Sequence, residues 1–202
     1  MSQSDDSPAL QQPRLAKRLL REQLRLAKRE LAQDERDKQS AKICQRLLGS
    51  HLWKENQSVL LYFPLPTEVD IKLLIEKGLD SGKTISLPRF EPRTKRYEIG
   101  SINGLEDVVE GAFGVSEPSP DCPEIDPKQL DLGIVPGVGF DALGTRLGRG
   151  GGYYDRLLQG LTATVCGVCF REQVLPRIPE EAHDIKMDWI ATPDGWLING
   201  ST

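Results

Sequence analysis

IVPGVGFDALGTRLGRGGGYYDRLL, residues Ile134 to Leu158, is the stretch on which the reading of this chain turns. Leu132-Gly-Ile-Val135 leads into it as a short, wholly apolar strand, and Tyr153 to Leu161 leaves it with helical composition. Thr164 to Phe170 then reads as the next strand. Strand, loop, helix, strand is the βαβ unit of a parallel sheet. The loop itself is dense in glycine and carries Arg146 and Arg149, two tyrosines and Asp155. Glycines permit positive φ and close approach of a ligand to the backbone, at an entropic cost that folding alone does not justify. Such a loop ahead of a helix can turn backbone N–H groups toward an anion, and two arginines add fork-shaped donors for phosphate or carboxylate. The two commonest nucleotide motifs are absent. Gly139-Phe-Asp-Ala-Leu-Gly144 is followed by Thr145-Arg146 rather than Lys, and Gly137-Val-Gly139 and Gly148-Arg-Gly150 both lack a third glycine.

Working outward, a second βαβ pattern precedes the first. Ser58 to Phe63 is an apolar run that stops at Pro64 and Pro66, and the loop after it holds Glu68 and Asp70. Ile71, Leu74 and Ile75 continue as a helix that Gly78 and Gly82 interrupt, and Thr84 to Leu87 is a strand ending before Pro88. Arg96 to Ile102 is a candidate extra strand, Glu106 to Gln129 an irregular acidic excursion, and Trp189 to Thr192 a last strand. The expected fold class is therefore α/β, a mostly parallel or mixed sheet flanked by helices. In such sheets ligands sit beyond the carboxyl ends of the strands, so Phe63 to Glu68, Pro136 to Gly152 and Phe170 onward should converge on one crevice. Residues 1–13 read as a disordered tail and 14–202 as a single domain. From Arg14, apolar residues at Ala16, Leu20, Leu24, Ala27 and Leu31 make one helical stripe, and a second helix follows Asp34 and ends at Gly49.

The net charge of −4 gives no global pull toward nucleic acid, although eleven Lys/Arg against five Asp/Glu between Arg14 and Arg46 make that end basic. No apolar run reaches membrane-spanning length, and the first residues are acidic where a signal peptide would be basic and then apolar, so the cytoplasm is the expected compartment. Four cysteines then read as reduced thiols. Cys166 and Cys169 form a CxxC, but no second pair completes a zinc set, and the surrounding TVCGVCF is strand-like.

Val135-Pro-Gly-Val-Gly-Phe-Asp141, with Gly144 and Arg146-Leu-Gly-Arg-Gly-Gly-Gly-Tyr-Tyr-Asp155, resembles the signature of the 5-formyltetrahydrofolate cyclo-ligase (5,10-methenyltetrahydrofolate synthetase) family. Lys17 and Arg21 resemble its N-terminal Lys-x-x-x-Arg helix, Phe63 to Glu68 its glutamate loop, and His183-Asp184 its late acidic motif; Gly151 stands where some relatives place Lys. The resemblance implies a fold of the NagB/RpiA/CoA-transferase type and an enzyme that uses ATP to close 5-formyltetrahydrofolate into 5,10-methenyltetrahydrofolate, releasing ADP and phosphate. It implies phosphoryl transfer to the formyl oxygen and then attack by N10. By the same resemblance Lys17, Arg21, Arg146, Leu147, Gly148, Arg149, Gly150, Gly151, Gly152, Tyr153 and Tyr154 would hold ATP, and Phe63, Glu68, Arg149 and Tyr153 the folate. Asp155 and Asp184 would hold Mg²⁺, with Arg149 and Tyr154 as catalytic residues. The expected partners are these small molecules alone, with neither nucleic acid nor membrane, acting on a monomer. Two rivals stand beside this reading: a relative that binds without turnover, and a phosphosugar isomerase or CoA-transferase, for which Glu68 is the sole candidate base.

Overall fold

The computed structural model describes residues 8–111 and 114–198. Helices α1 (Pro8–Glu30), α2 (Gln33–Gly49) and α3 (His51–Glu55) precede strand β1 (Ser58–Leu60), and α4 (Lys72–Asp80) carries the chain to β2 (Thr84–Glu91). β3 (Arg96–Ile102) folds back antiparallel on β2, and β4 (Val108–Glu110) pairs with β5 (Ser116–Pro118) inside the acidic excursion. β6 (Leu132–Pro136) leads into β7 (Gly139–Asp141) and β8 (Arg146–Leu147). α5 (Tyr153–Leu158), β9 (Thr164–Val168), β10 (Val174–Leu175), β11 (Trp189–Ala191) and β12 (Trp196–Ile198) complete the described chain.

Seven strands form the main sheet in the order β12-β11-β9-β6-β1-β2-β3. The inner five are parallel, and only the two edges, β3 and β12, run antiparallel. β6 and β1 are neighbours, yet β1 connects through α4 to β2 on one side and β6 through α5 to β9 on the other. The sheet thus changes winding direction between them, and a crevice opens beyond their carboxyl ends. The core is layered accordingly. Ile43, Leu47, Trp53, Leu74 and Ile75 of α2, α3 and α4 cover one face, and Leu157 and Leu158 of α5 pack on the other.

Several expectations need revising. Residues 8–13, read as tail, are the start of α1, while 1–7 lie outside the described residues. Gly78 does not interrupt α4 but sits inside it, where a Cβ would overlap the Ile85 side chain of β2; its absence lets helix and sheet close up. β2 does not stop at Pro88. The Ser86 carbonyl accepts from Leu61 N at 2.8 Å, so Pro88, two residues on, turns its missing N–H toward the same side, past the end of the β1 ladder. Pairing with β3 on the other side continues to Glu91. α5 ends at Leu158, not Leu161, and the excursion contains a hairpin. No thiol is paired: Cys44, Cys166 and Cys169 are buried and Cys122 is partly covered. No helix among the described residues is long and apolar enough to cross a membrane.

Candidate active site

The glycine stretch is more ordered than a loop. β7 and β8 make a hairpin, and β10 adds to it as a third strand, so the irregular parts are short: 137–138, the hairpin turn at 142–145, and Gly148 to Gly152. Gly150 (φ 101°) and Gly152 (φ 65°) take conformations that a side chain would strain. Strand alternation in β8 sends Leu147 into a cluster with Leu24, Leu175 and Ile178 and Arg146 to the opposite face.

Arg146 is therefore no exposed loop arginine. It is 4% exposed, its Nη2 donates to Asp155 Oδ1 at 2.6 Å and its Nη1 to the Pro136 carbonyl at 3.3 Å. Its guanidinium lies over the Tyr154 ring at 5.5 Å, and its buried Nε has no hydrogen-bond partner among the described residues. The Arg146–Asp155 pair stands between two cavities, each of which it lines together with Gly148 and Gly152.

On one side is a basic cavity of about 420 Å³. α1 brings Arg14, Lys17, Arg18 and Arg21 to it, and Leu147, Gly150, Glu181, His183 and Asp184 complete the wall. Arg21 Nε donates to the Gly148 carbonyl at 2.8 Å, tying α1 to the glycine segment. Lys17, 4% exposed, donates from Nζ to Asp184 Oδ2 at 2.6 Å and Glu181 Oε2 at 2.9 Å. Burial pulls the Glu181 carboxyl up, but the hydrogen bond and charge of Lys17 outweigh it and hold Glu181 below its ordinary pKa. Ligand atoms of Glu181, His183 and Asp184 lie within 4.8 Å of one another.

On the other side is an aromatic cavity of about 110 Å³. Phe63 and Glu68 reach it from the loop after β1, Arg149, Gly151, Tyr153 and Tyr154 from the glycine segment and α5, and Tyr97 from β3. Pro64 and Pro66 stiffen the first loop, and the Tyr62 hydroxyl, donating to the Val69 carbonyl at 2.8 Å, ties it back. Glu68 is 9% exposed, and its carboxylate accepts from Leu65 N (3.1 Å) and Arg149 Nη2 (2.7 Å), across the crevice where the sheet changes direction. The Tyr97 ring lies 5.7 Å from Tyr153 and 5.6 Å from Tyr154. Burial pushes the Tyr154 phenol well above its usual pKa, with Glu68 adding to the shift, so it keeps its proton.

Every residue singled out in the sequence thus lines one cavity or the other, although Leu147 gives its side chain to the core. Asp155 and Asp184 share the basic cavity, and each already faces a cation. Some lining residues escaped the sequence reading. Arg14 and Arg18 look like a solvated helix face, Glu181 is an unremarked acid near His183, and Tyr97 comes from an edge strand with no motif of its own.

The model of the 5-formyltetrahydrofolate cyclo-ligase family matches residues 14–193. The 5-formyltetrahydrofolate cyclo-ligase of Mus musculus is 29% identical over 191 residues, covering 89% of this chain and 94% of its own. A protein of Schizosaccharomyces pombe described as a probable 5-formyltetrahydrofolate cyclo-ligase is 31% identical over 181 residues, covering 81% and 88%. The solved structure of Aquifex aeolicus 5,10-methenyltetrahydrofolate synthetase superposes with a TM-score of 0.82 at 33% identity, covering 92% of this chain and 95% of that one.

Proposed function

The chain belongs to the 5-formyltetrahydrofolate cyclo-ligase family, and from that premise we propose that its two joined cavities hold ATP and 5-formyltetrahydrofolate on either side of the Arg146–Asp155 pair. The reaction closes the folate's formyl group onto N10, giving 5,10-methenyltetrahydrofolate, ADP and phosphate. An amide oxygen is a poor leaving group and N10 a weak nucleophile. Transfer of the γ-phosphoryl to that oxygen converts it to phosphate, which departs once N10 has bonded to the formyl carbon.

Such a transfer needs positioning and charge neutralisation more than a side-chain nucleophile. The observation that supports this most is the shared wall. A cavity lined by four basic side chains of α1 and another lined by aromatic rings and Glu68 meet at the Arg146–Asp155 pair, so a phosphoryl group can face an acceptor without crossing solvent. Lys17, Arg21 and Arg146 bind the phosphates, together with the backbone of Gly148 to Gly152. Glu68 accepts from the pterin N–H donors, and Phe63, Tyr153 and Tyr154 wall the ring, with Tyr154 and Arg149 nearest the reacting oxygen. Tyr154, protonated throughout the physiological range, acts as a hydrogen-bond donor and not as a base.

Mg²⁺ fits the donor set. Asp155 and Asp184 offer hard oxygen ligands to one cavity, and the cations now beside them, Arg146 and Lys17, are the groups assigned to phosphate. Held there, the ion would neutralise phosphate charge beside Lys17 and Arg146. The test is to mix purified protein with Mg-ATP and 5-formyltetrahydrofolate and follow the near-ultraviolet absorbance of the methenyl product. A folded sample that gives no increase refutes the reading.

A further inference from the structure

α1 reaches beyond the nucleotide. Lys17, Arg21, Leu24 and Lys28 follow one another at helical spacings of four, three and four, and so share a face. Leu24, 2% exposed, pins that face against Leu147, Leu175 and Ile178. At one end of the stripe Lys17 and Arg21 lie against Asp184 and Gly148. At the other, Lys28 comes within electrostatic reach of Arg36 and of Glu68 and Arg149, two residues that line the aromatic cavity.

Lys28 is half-buried, and no carboxylate among the described residues pairs with it. Burial lowers its pKa, and Arg149 and Arg36 add to the shift against the pull of Glu68. Arg36 contributes a buried Nε that has no hydrogen-bond partner among the described residues. Lys28 and Arg149 thus both lie near one carboxylate, Glu68, which Arg149 already holds at 2.7 Å, and this leaves an excess of one positive charge beside the cavity. A partly desolvated cation without a counter-ion is costly, and an anion arriving there relieves that cost.

The aromatic cavity, about 110 Å³, is well below the ~300 Å³ at the lower end of sites that enclose a drug-sized ligand. It can enclose the ring end of a folate, and the rest must leave through the mouth. The surroundings of the cavity differ in charge. A groove that shares Leu65 with it carries Asp37 and Asp70, the latter already paired with Lys72 at 3.2 Å, and repels a carboxylate. The side of Arg149, within reach of Lys28, is basic. We propose that Lys28, backed by Arg36, is the anchor for the carboxylates of the folate's glutamate tail. This rests on the cyclo-ligase reading above and adds a subsite to it.

The test compares wild type with Lys28→Gln on two substrates: 5-formyltetrahydrofolate, and an analogue in which a neutral methylamide replaces the glutamate but N10 is kept. The expected result is about a tenfold rise in KM for the charged substrate in the variant, the size of one lost charge-assisted contact. KM for the neutral analogue and for ATP should match wild type, and Lys28→Arg should restore KM for the charged substrate. Equal rises for both substrates, no rise for either, or a rise for ATP instead would overturn the assignment. Wild type that forms no methenyl product from either substrate would overturn the enzymatic reading itself, a distinct failure.

Discussion

The Arg149–Glu68 contact is where fold stability and turnover can be told apart. Arg149 is 60% exposed and donates to Glu68 at 2.7 Å. Arg149→Ala removes an ion pair whose basic partner is mostly in solvent, worth about 1 kcal/mol at most. Glu68 keeps the Leu65 N–H at 3.1 Å. For a domain of this size such a loss shifts the melting temperature by roughly 2–4 °C. The catalytic effect should be much larger. Removing one preorganised donor from a group that gains charge in the transition state costs about 10²–10³ in rate. The assay is steady-state formation of the methenyl product, with thermal melts on the same samples. Expected is a fall in kcat/KM of at least about a hundredfold with a small change in melting. A rate within a few-fold of wild type in a folded variant would remove Arg149 from the reaction. Glu68→Gln refines the result. If Arg149 serves only to hold Glu68, the two single variants and the double variant should all be impaired alike. If each has its own ligand, Glu68→Gln should act mainly on folate KM and the effects should add.

Lys17→Met leaves the largely buried Asp184 without its lysine and Glu181 with only the exposed Arg14, and should cost about 3 kcal/mol of stability. Millimolar Mg²⁺ should recover more of the melting temperature in this variant than in wild type; equal shifts in both would count against Asp184 as a ligand. With Cys44 and Cys169 pushed up to about 12 by burial, and Cys166 higher still, a thiol reagent at pH 8 should label only Cys122 quickly in the native protein. Rapid labelling of all four would show that the sheet core is open. Tyr62, Tyr154 and these thiols all have folded pKa values raised by burial, so their contribution is intact below the unfolded values and is lost as pH rises above them. Urea melts should therefore show stability declining from about pH 9–10 upward, and Tyr154→Phe should flatten that decline.

How much of this was legible depends on where each element finds its partners. β1, β6 and β9 are inner parallel strands covered on both faces, and such strands read as unbroken apolar runs such as Leu132-Gly-Ile-Val135. β7, β8, β10 and β12 are two or three residues long, too short for any periodicity, and Phe140 finds Val174 only after the chain has travelled out and back. Gly78 misleads for another reason. Helix propensity marks it as a breaker, yet the space left by Ile85 decides its place. Of the site, the residue types around Gly148 to Gly152 announced an anion, while Glu68 stands 81 residues from the arginine it meets, and Lys17 and Asp184 are 167 apart. Composition cannot bring those together; the family resemblance did.

Arg146 shows why residue type alone misplaces a group even when its role is rightly suspected. Among glycines it reads as a mobile phosphate ligand on a loop. A two-residue strand instead fixes its direction, because Leu147 is drawn into the cluster with Leu24 and alternation leaves Arg146 the wall between the cavities. There it is held by Asp155 and the Pro136 carbonyl and faces the Tyr154 ring, so little of its freedom remains to be lost when substrates bind. Its unpartnered buried Nε is a cost that folding alone does not explain. A side chain so constrained is suited to meet a phosphoryl group in one position, and positional control is what this transfer requires of the protein.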